Sequence, residues 1–334
     1  MQEPVIHLLD CTLRDGSYQL GFGFTAADTA ALAGGLDKAG LPEIEVGHGL
    51  GLGGAHQPGC AAAATDEEYV EAARSAVKSA KLGVFAIAGQ ASAEHVKAAA
   101  RRGIDYLRIG VDSDYPQRAE GLVRVCHDLG VVPYVFFMQS SLVTPDILAE
   151  NALTAARWGV STIYVVDSAG FMTPDDVTKY VLAIRNRVDV TVGFHGHNNL
   201  HLAMANVVAA VKAGTKLIDC TLRGLGRSAG NAQTEAVALV LRRLGYRTGI
   251  DIAATIQIAG DYINARAPGH GNDGIDLAVG YAGLHSRYLK DVIGIAEQYD
   301  LMPIDLLLAV GERGQATMRT EILVEIARGM KRVA

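Results

Sequence analysis

The sequence is short of several things, and each shortage closes off a class of function. No apolar run approaches the roughly 20 residues a bilayer-spanning helix needs. Lys and Arg (30) are outnumbered by Asp and Glu (36), for a formal charge of −6. No dense basic stripe offsets that balance, so there is no electrostatic footprint for nucleic acid. Cysteine is sparse: Cys11, Cys60, Cys126 and Cys220 are scattered with no C-x-x-C pair. Free thiols of a cytoplasmic protein are therefore expected, rather than a disulfide framework or a zinc ribbon. The opening Met1-Gln2-Glu3-Pro4 lacks a basic segment and runs straight into apolar sequence, so no secretory signal is expected. The first apolar run leads into Arg14-Asp15-Gly16-Ser17, not the Gly-rich phosphate fingerprint of a doubly wound dinucleotide fold. The expectation left standing is a soluble intracellular enzyme or binding protein with one large domain.

What is present has a regular beat. Short apolar runs at Ile6–Leu13, Glu43–Gly47, Gly83–Ala88, Tyr106–Val111, Val131–Met138, Thr162–Asp167, Val190–His197 and Leu217–Leu222 read as strands. Amphipathic stretches separate them: 25–39, 65–80, 92–102, 117–129, 144–158, 173–186, 200–213 and 230–244. Several open on a capping residue followed by acids, as in Thr25 with Asp28, Thr65-Asp66-Glu67-Glu68 and Thr173-Pro174-Asp175-Asp176, which suits the unpaired N–H groups and dipole of a helix start. Strand–helix alternation implies parallel pairing, and eight such units imply a closed (β/α)8 TIM barrel over residues 1–248. Beyond Leu244 the beat stops. Residues 249–334 read as a C-terminal helical subdomain, suited to a dimer or partner contact, with helices at 252–266, 277–299, 303–311 and 318–331 around a Gly/Pro-rich loop at 267–274. Ala278, Tyr281, Leu284 and Tyr288 share one face there, for packing on the barrel or on another chain.

In such barrels chemistry sits at the C-terminal ends of the strands. Those ends here carry Arg14-Asp15-Gly16, Glu45-Val46-Gly47-His48, Arg108 and Asp112, Gln139-Ser140-Ser141, Asp167-Ser168, His195 with His197, and Gly224 to Asn231. His195 and His197 lie two apart on a strand and so face the same way. With Asp15 they offer one carboxylate and two imidazoles; Asn231 adds an amide oxygen. That mixed set, with positions left open for substrate, suits a six-coordinate Mn²⁺ or Mg²⁺ better than Co²⁺ or Zn²⁺. Taken singly, Asp15 and Asn231 are ordinary loop or capping residues; it is their joint placement that points to a metal. Arg14 is a stabiliser for an enolate or carboxylate beside such an ion, or else an ion-pair partner of Glu45.

Asp10-Cys11-Thr12-Leu13-Arg14-Asp15-Gly16, His195-x-His197-Asn198 and Gly224-x-Gly226-x-x-Ala229-Gly230-Asn231 together resemble the metal-dependent acyl-lyase and aldolase barrels. That group includes hydroxymethylglutaryl-CoA lyase, the isopropylmalate and homocitrate synthases, and 4-hydroxy-2-oxovalerate aldolase. The aldolase branch is the nearest, through Ile44 to Leu52, Asp167-Ser168-Ala169-Gly170 and Gly280-Tyr281-Ala282-Gly283-Leu284-His285-Ser286. The resemblance implies a divalent-metal-dependent lyase that makes or breaks a 4-hydroxy-2-oxo acid, with pyruvate and an aldehyde as the other side of the reaction. It implies Asp15, His195, His197 and Asn231 as metal ligands and Arg14 as stabiliser of the pyruvate enolate. Ser168, His195, Phe85, Ile87 and His48 would bind or shape substrate. An acylating aldehyde dehydrogenase partner, an oligomer, and a setting in aromatic hydrocarbon catabolism come with it.

Two departures from that pattern stand out. The branch carries a histidine after Arg-Asp-Gly, where this chain has Tyr18, and a tyrosine in the C-terminal Gly-Tyr-Ala-Gly stretch, where this chain has His285. An exchange of roles is expected, His285 serving as the base and Tyr18 supplying the orienting hydrogen bond, since an imidazole titrates near neutrality and an unperturbed phenol near 10. The alternative is a different, biosynthetic substrate. A Claisen-type acyl-CoA synthase is disfavoured by Ser17-Tyr18 and the short tail. Hydroxymethylglutaryl-CoA lyase is disfavoured by the absence of a cysteine in Gly226-Arg227-Ser228, and a non-catalytic subunit by the intact Arg14, Asp15, His195, His197 set.

Overall fold

The eight expected strands close into a barrel in chain order, every neighbour parallel and β1 pairing with β8. They are β1 (His7–Asp10), β2 (Glu43–Val46), β3 (Lys81–Ile87), β4 (Tyr106–Asp112), β5 (Val132–Met138), β6 (Thr162–Asp167), β7 (Thr191–Gly196) and β8 (Leu217–Cys220). This computed structural model describes residues 3–284, 288–313 and 320–331. The outer ring is α1 (Ala26–Lys38), α2 (Asp66–Ala76), α3 (Ala93–Arg101), α4 (Glu120–Leu129), α5 (Pro145–Arg157), α6 (Pro174–Arg185), α7 (Ala203–Lys212) and α8 (Thr234–Arg243). No helix is long and apolar enough to cross a membrane.

The sequence signals act where they were expected. Thr25 with Asp28, Thr65 with Glu68 and Thr173 with Asp176 each form a reciprocal capping box. Among the helices that run shorter than their periodicity suggests, α2 and α8 do so because backbone groups find other partners. After α2, the Asp37 carboxylate takes the N–H groups of Lys78, Ser79 and Ala80, turning the chain into β3. Before α8, Asn231 bridges to His197 and Gln233 to Thr221, so the helix waits until Thr234.

Inside the barrel the alternate residues of each strand form aromatic layers: Phe85, Tyr106, Tyr134, Phe136 and Tyr164 pack with Leu9 and Leu217. The rings fit because the neighbouring strand supplies glycine. A Cβ on Gly83 would lie 2.1 Å from the Tyr106 ring, and one on Gly193 2.6 Å from Tyr164. Gly83→Ala is therefore expected to destabilise the fold by about 1–3 kcal/mol through overpacking, read as a lowered denaturation midpoint. Unchanged stability would show that the layer can slide.

The C-terminal segment departs from expectation at one point. The single helix expected over 277–299 is two, α10 (Gly274–Ala282) and α11 (Leu289–Tyr299). Gly283, in the left-handed region at φ 64°, caps α10 by donating to the Gly280 and Val279 carbonyls, which periodicity alone does not register. α9 (Ile252–Ile263) packs into the barrel's own core through Ile252, Ile256 and Ile263. α10, α11, α12 (Pro303–Arg313) and α13 (Thr320–Lys331) share a separate core that includes Ala278, Leu284, Val292, Leu306 and Leu323. Of the face expected from Ala278, Tyr281, Leu284 and Tyr288, Ala278, Leu284 and Tyr288 pack in this separate core while Tyr281 joins the barrel's own core and donates to Glu312 at 2.7 Å, so the packing seen is within the chain.

Candidate active site

The site forms at the C-terminal ends of the strands, where the short turn Asp15–Leu20 follows β1. Asp15, His195 and His197 converge: one ligand atom from each lies within 4.8 Å of the others, and all three are buried. Each imidazole is oriented through Nδ1. His195 Nδ1 pairs with Asp219 Oδ2 at 2.8 Å and His197 Nδ1 with the Gly230 carbonyl at 3.3 Å. Those partners accept, so each ring carries its proton on Nδ1 and leaves Nε2 with a free lone pair, the usual arrangement behind a metal-ligating histidine. Asn231 donates from Nδ2 to Asp15 Oδ2 at 2.6 Å and to the Leu225 carbonyl at 3.1 Å. Its Oδ1 is buried with no partner among the described residues. An orphaned carbonyl oxygen beside a carboxylate and two imidazoles is what a divalent cation would satisfy. The donor set fits a divalent metal ion.

The charges agree. Burial alone would raise the Asp15 carboxyl, but Arg14, the two imidazoles and Asn231 overcome it and hold the group well below the usual carboxylate range. Burial pushes His197 down to about 4 against the pull of Asp15, with His195 and Arg227 adding to the drop. At neutral pH the carboxylate is thus ionised and His197 neutral, the states a metal requires. A second trio, Cys11, His195 and Asp219, is equally close. It is less suited: burial pushes the Cys11 thiol far up, and the imidazole atom facing Asp219 already holds a proton.

Arg14 makes the ion pair with Glu45 that the sequence offered as one of its two roles. Its Nε donates to Glu45 Oε1 at 2.6 Å and its Nη1 to Asp15 Oδ1 at 2.7 Å, while Nη2 is buried without a partner among the described residues. The ion pair anchors the guanidinium and one N–H face stays available. Sequence reasoning missed what lies beneath. Glu45 also grips Arg108 through both carboxylate oxygens, and Arg108 reaches Asp219, which holds His195. Charges therefore alternate from Arg14 through Glu45, Arg108 and Asp219 to the imidazole, all of them buried. Strand alternation was the available signal, because Glu45, Arg108 and Asp219 all occupy inward positions of strands too apolar to carry a charge without a partner.

The remaining expected residues are placed as follows. Phe85 packs under the Arg14 guanidinium, 4.7 Å from ring centroid to Cζ, and Ile87 follows it on the same face of β3. Tyr18 lies half-buried, edge-on to Phe22 and close over Gly49. Burial raises its phenol above the ordinary value, so it keeps its proton. Ser168 accepts from the Gln139 N–H at 2.9 Å at the β6 mouth. His48 is committed within its loop: Nδ1 accepts from the Leu50 N–H at 3.0 Å, so Nε2–H donates to the Cys60 carbonyl at 2.8 Å, and the ring stacks on Phe22. It is brought near the site without a free polar atom. His285 lies outside the described residues.

The HMGL-like family matches residues 5–261. The chain is 40% identical to a 4-hydroxy-2-oxovalerate aldolase of Moorella thermoacetica, over 98% of this chain and 97% of that one. It is 37% identical to one of Carboxydothermus hydrogenoformans, over 98% of each. In fold it is similar to hydroxymethylglutaryl-CoA lyase from Pseudomonas aeruginosa, with TM-score 0.67 and 21% identity, covering 81% of this chain and 97% of that one. The chain thus belongs to the HMGL-like family and is a carbon–carbon lyase of its 4-hydroxy-2-oxovalerate aldolase branch.

Proposed function

We propose that the protein is a divalent-metal-dependent aldolase that cleaves or forms a 4-hydroxy-2-oxo acid, exchanging it with pyruvate and an aldehyde. The observation that carries this reading is the buried Asp15, His195, His197 cluster beside two unpartnered polar atoms, Asn231 Oδ1 and Arg14 Nη2. Mn²⁺ is the ion we assign, with Asn231 as the fourth protein ligand; when bound it supplies a Lewis acid for the keto oxygen of a 2-oxo acid.

The chain's own groups do the rest. In cleavage, the C4 hydroxyl loses its proton, the C3–C4 bond breaks, and its electron pair moves toward the C2 oxygen as the aldehyde departs. We assign the free N–H of Arg14 to the negative charge that develops on that oxygen, where a fixed, already desolvated cation needs no reorganisation. Glu45 holds the guanidinium in place. Phe85 and Ile87 give the pocket an apolar wall, with Ser168 and His48 shaping its rim.

We assign the C4 hydroxyl proton to His285, with Tyr18 as a hydrogen-bond donor. The raised phenol of Tyr18 supports this division, because a group that keeps its proton at neutral pH is a poor base. His285→Ala should depress aldol cleavage by about 10²- to 10⁴-fold while pyruvate still exchanges its C3 hydrogens with deuterated water. Cleavage at the wild-type rate would return the base role to another group. We place the protein in the cytoplasm, and by its family resemblance in aromatic hydrocarbon catabolism, with residues 249–334 meeting a second copy or an acylating aldehyde dehydrogenase.

The test of the reading as a whole is direct. The Mn²⁺-loaded protein is incubated with pyruvate and a panel of aldehydes, and the products are followed by mass. Formation of 4-hydroxy-2-oxo acids supports it. No adduct, no cleavage and no C3 exchange would remove it.

A further inference from the structure

Three guanidinium groups at this end of the barrel have carboxylates. Arg14 has Glu45 and Asp15, Arg108 has Glu45 and Asp219, and Arg223 has Asp273 at 3.7 Å. Arg227 has none among the described residues, although it stands at the mouth. Its backbone N–H points at Asp15 Oδ2, 3.4 Å away, and its Nη2 donates to the Ser168 carbonyl at 3.2 Å. The side chain therefore runs from the loop after β8 to the end of β6. β7 lies between those two strands, so the guanidinium crosses above the strand end that carries His195 and His197. Its charge acts on both His197 and Tyr18.

The loop that presents it is held from two sides. Gln19 Nε2 donates to the carbonyls of Gly226 at 2.9 Å and Ser228 at 2.7 Å. Asn199 donates to the Ser228 hydroxyl at 2.8 Å, and Ser228 itself adopts the left-handed conformation at φ 59°. An exposed cation with no carboxylate partner among the described residues, carried on a fixed loop, is preorganised to bind an anion.

Resting on the aldolase reading above, we infer that Arg227 recognises a second anionic group, a carboxylate or phosphate, on the aldehyde half of the substrate. The carboxylate and keto oxygen of the 2-oxo acid belong to the buried end of the site, with the metal-ligand cluster and Arg14. Arg227 lies at the exposed rim, where only the far end of a bound chain can reach. The substrate class is then a 4-hydroxy-2-oxo acid carrying an acidic group beyond C4. The chemistry is unchanged: C3–C4 breaks, the C4 hydroxyl proton goes to the base, and the aldehyde leaves with its anion.

Two nearly isosteric ligands that lack the C4 hydroxyl test this by calorimetry on the Mn²⁺-loaded protein: 2-oxoglutarate, with a distal carboxylate, and 2-oxopentanoate, with a methyl there. The dianion should bind about 10- to 100-fold more tightly, the worth of a charge-assisted hydrogen bond. Arg227→Met should erase that preference while changing 2-oxopentanoate affinity by no more than about twofold, as expected of a surface substitution. Equal binding of the two ligands by the wild type overturns the inference. So does an equal loss of both in Arg227→Met, which would mean that the guanidinium reads the shared carboxylate or only braces the loop. Turnover with pyruvate and either succinate semialdehyde or glyceraldehyde 3-phosphate, against a neutral aldehyde of similar length, then separates carboxylate from phosphate. Exchange of the pyruvate C3 hydrogens distinguishes the two levels of failure. If exchange occurs and no anion preference is found, Arg227 alone is misassigned; if exchange is absent, the aldolase reading falls and this inference with it.

Discussion

Asp15→Asn should reduce carbon–carbon cleavage by about a thousandfold, the rate equivalent of several kcal/mol of lost Lewis-acid stabilisation. The amide keeps the shape of the side chain but removes the one carboxylate of the Asp15, His195, His197 cluster proposed to hold the metal. It also leaves Arg14 with Glu45 as its only anionic partner among the described residues. Metal affinity, measured by competition with a chromophoric chelator, should fall in parallel, and excess Mn²⁺ should recover part of the rate. A chelator applied to the wild type should reproduce the loss. The substitution carries a pH signature as well. The folded-state pKa of Asp15 is depressed, so its ionised form contributes stability above the unfolded value of about 4. That contribution is lost as the pH falls through the folded value. Asp15→Asn should accordingly flatten the acid limb of the metal-free stability curve. Undiminished cleavage in this variant would sink the metal assignment.

Asp219→Asn carries the second large effect, and it separates stability from ligation. Asp219 is buried between Arg108 and His195, and those two partners hold it ionised against the cost of burial. Neutralising it leaves the Arg108 charge in the barrel interior with Glu45 alone. The expected loss is about 3–5 kcal/mol of folding stability, the usual result of removing one member of a buried pair. The same change weakens the acceptor that fixes the His195 tautomer, so metal affinity should fall about 10- to 100-fold. The double variant Arg108→Met with Asp219→Leu decides whether these effects are one. Replacing both charges with apolar groups should restore much of the stability but not the metal affinity, because His195 still lacks its acceptor. Recovery of both would mean that Asp219 serves the fold and not the ligand.

The barrel itself was legible because its signals are local. Capping boxes at Thr25, Thr65 and Thr173 mark helix starts, and strand β6 runs over Thr162–Asp167 as the sequence suggested. What failed were boundaries set from a distance. α2 stops short because Asp37, on α1, captures the N–H groups of Lys78, Ser79 and Ala80 just beyond it, and no periodicity within α2 encodes that. The 277–299 segment breaks at a glycine that a helix could have tolerated but that here adopts the left-handed cap.

The site divides the same way. His195 and His197 could be paired from sequence because two residues on a strand must share a face. Asp15 and Asn231 could be joined to them because closed barrels collect strand ends at one rim. Which atoms face the cluster is a tertiary matter. Only the packed barrel shows that both imidazoles spend Nδ1 on acceptors, that Asn231 turns its amide nitrogen to Asp15 and leaves its oxygen bare, and that His48 has no polar atom to spare. The same holds for the buried relay from Arg14 to Asp219, whose members lie as far as 111 residues apart in one contact. A sequence fixes residue types and faces through short-range geometry. Partnership between buried charges depends on distances of a few ångströms between remote segments, and those exist only once the barrel has closed.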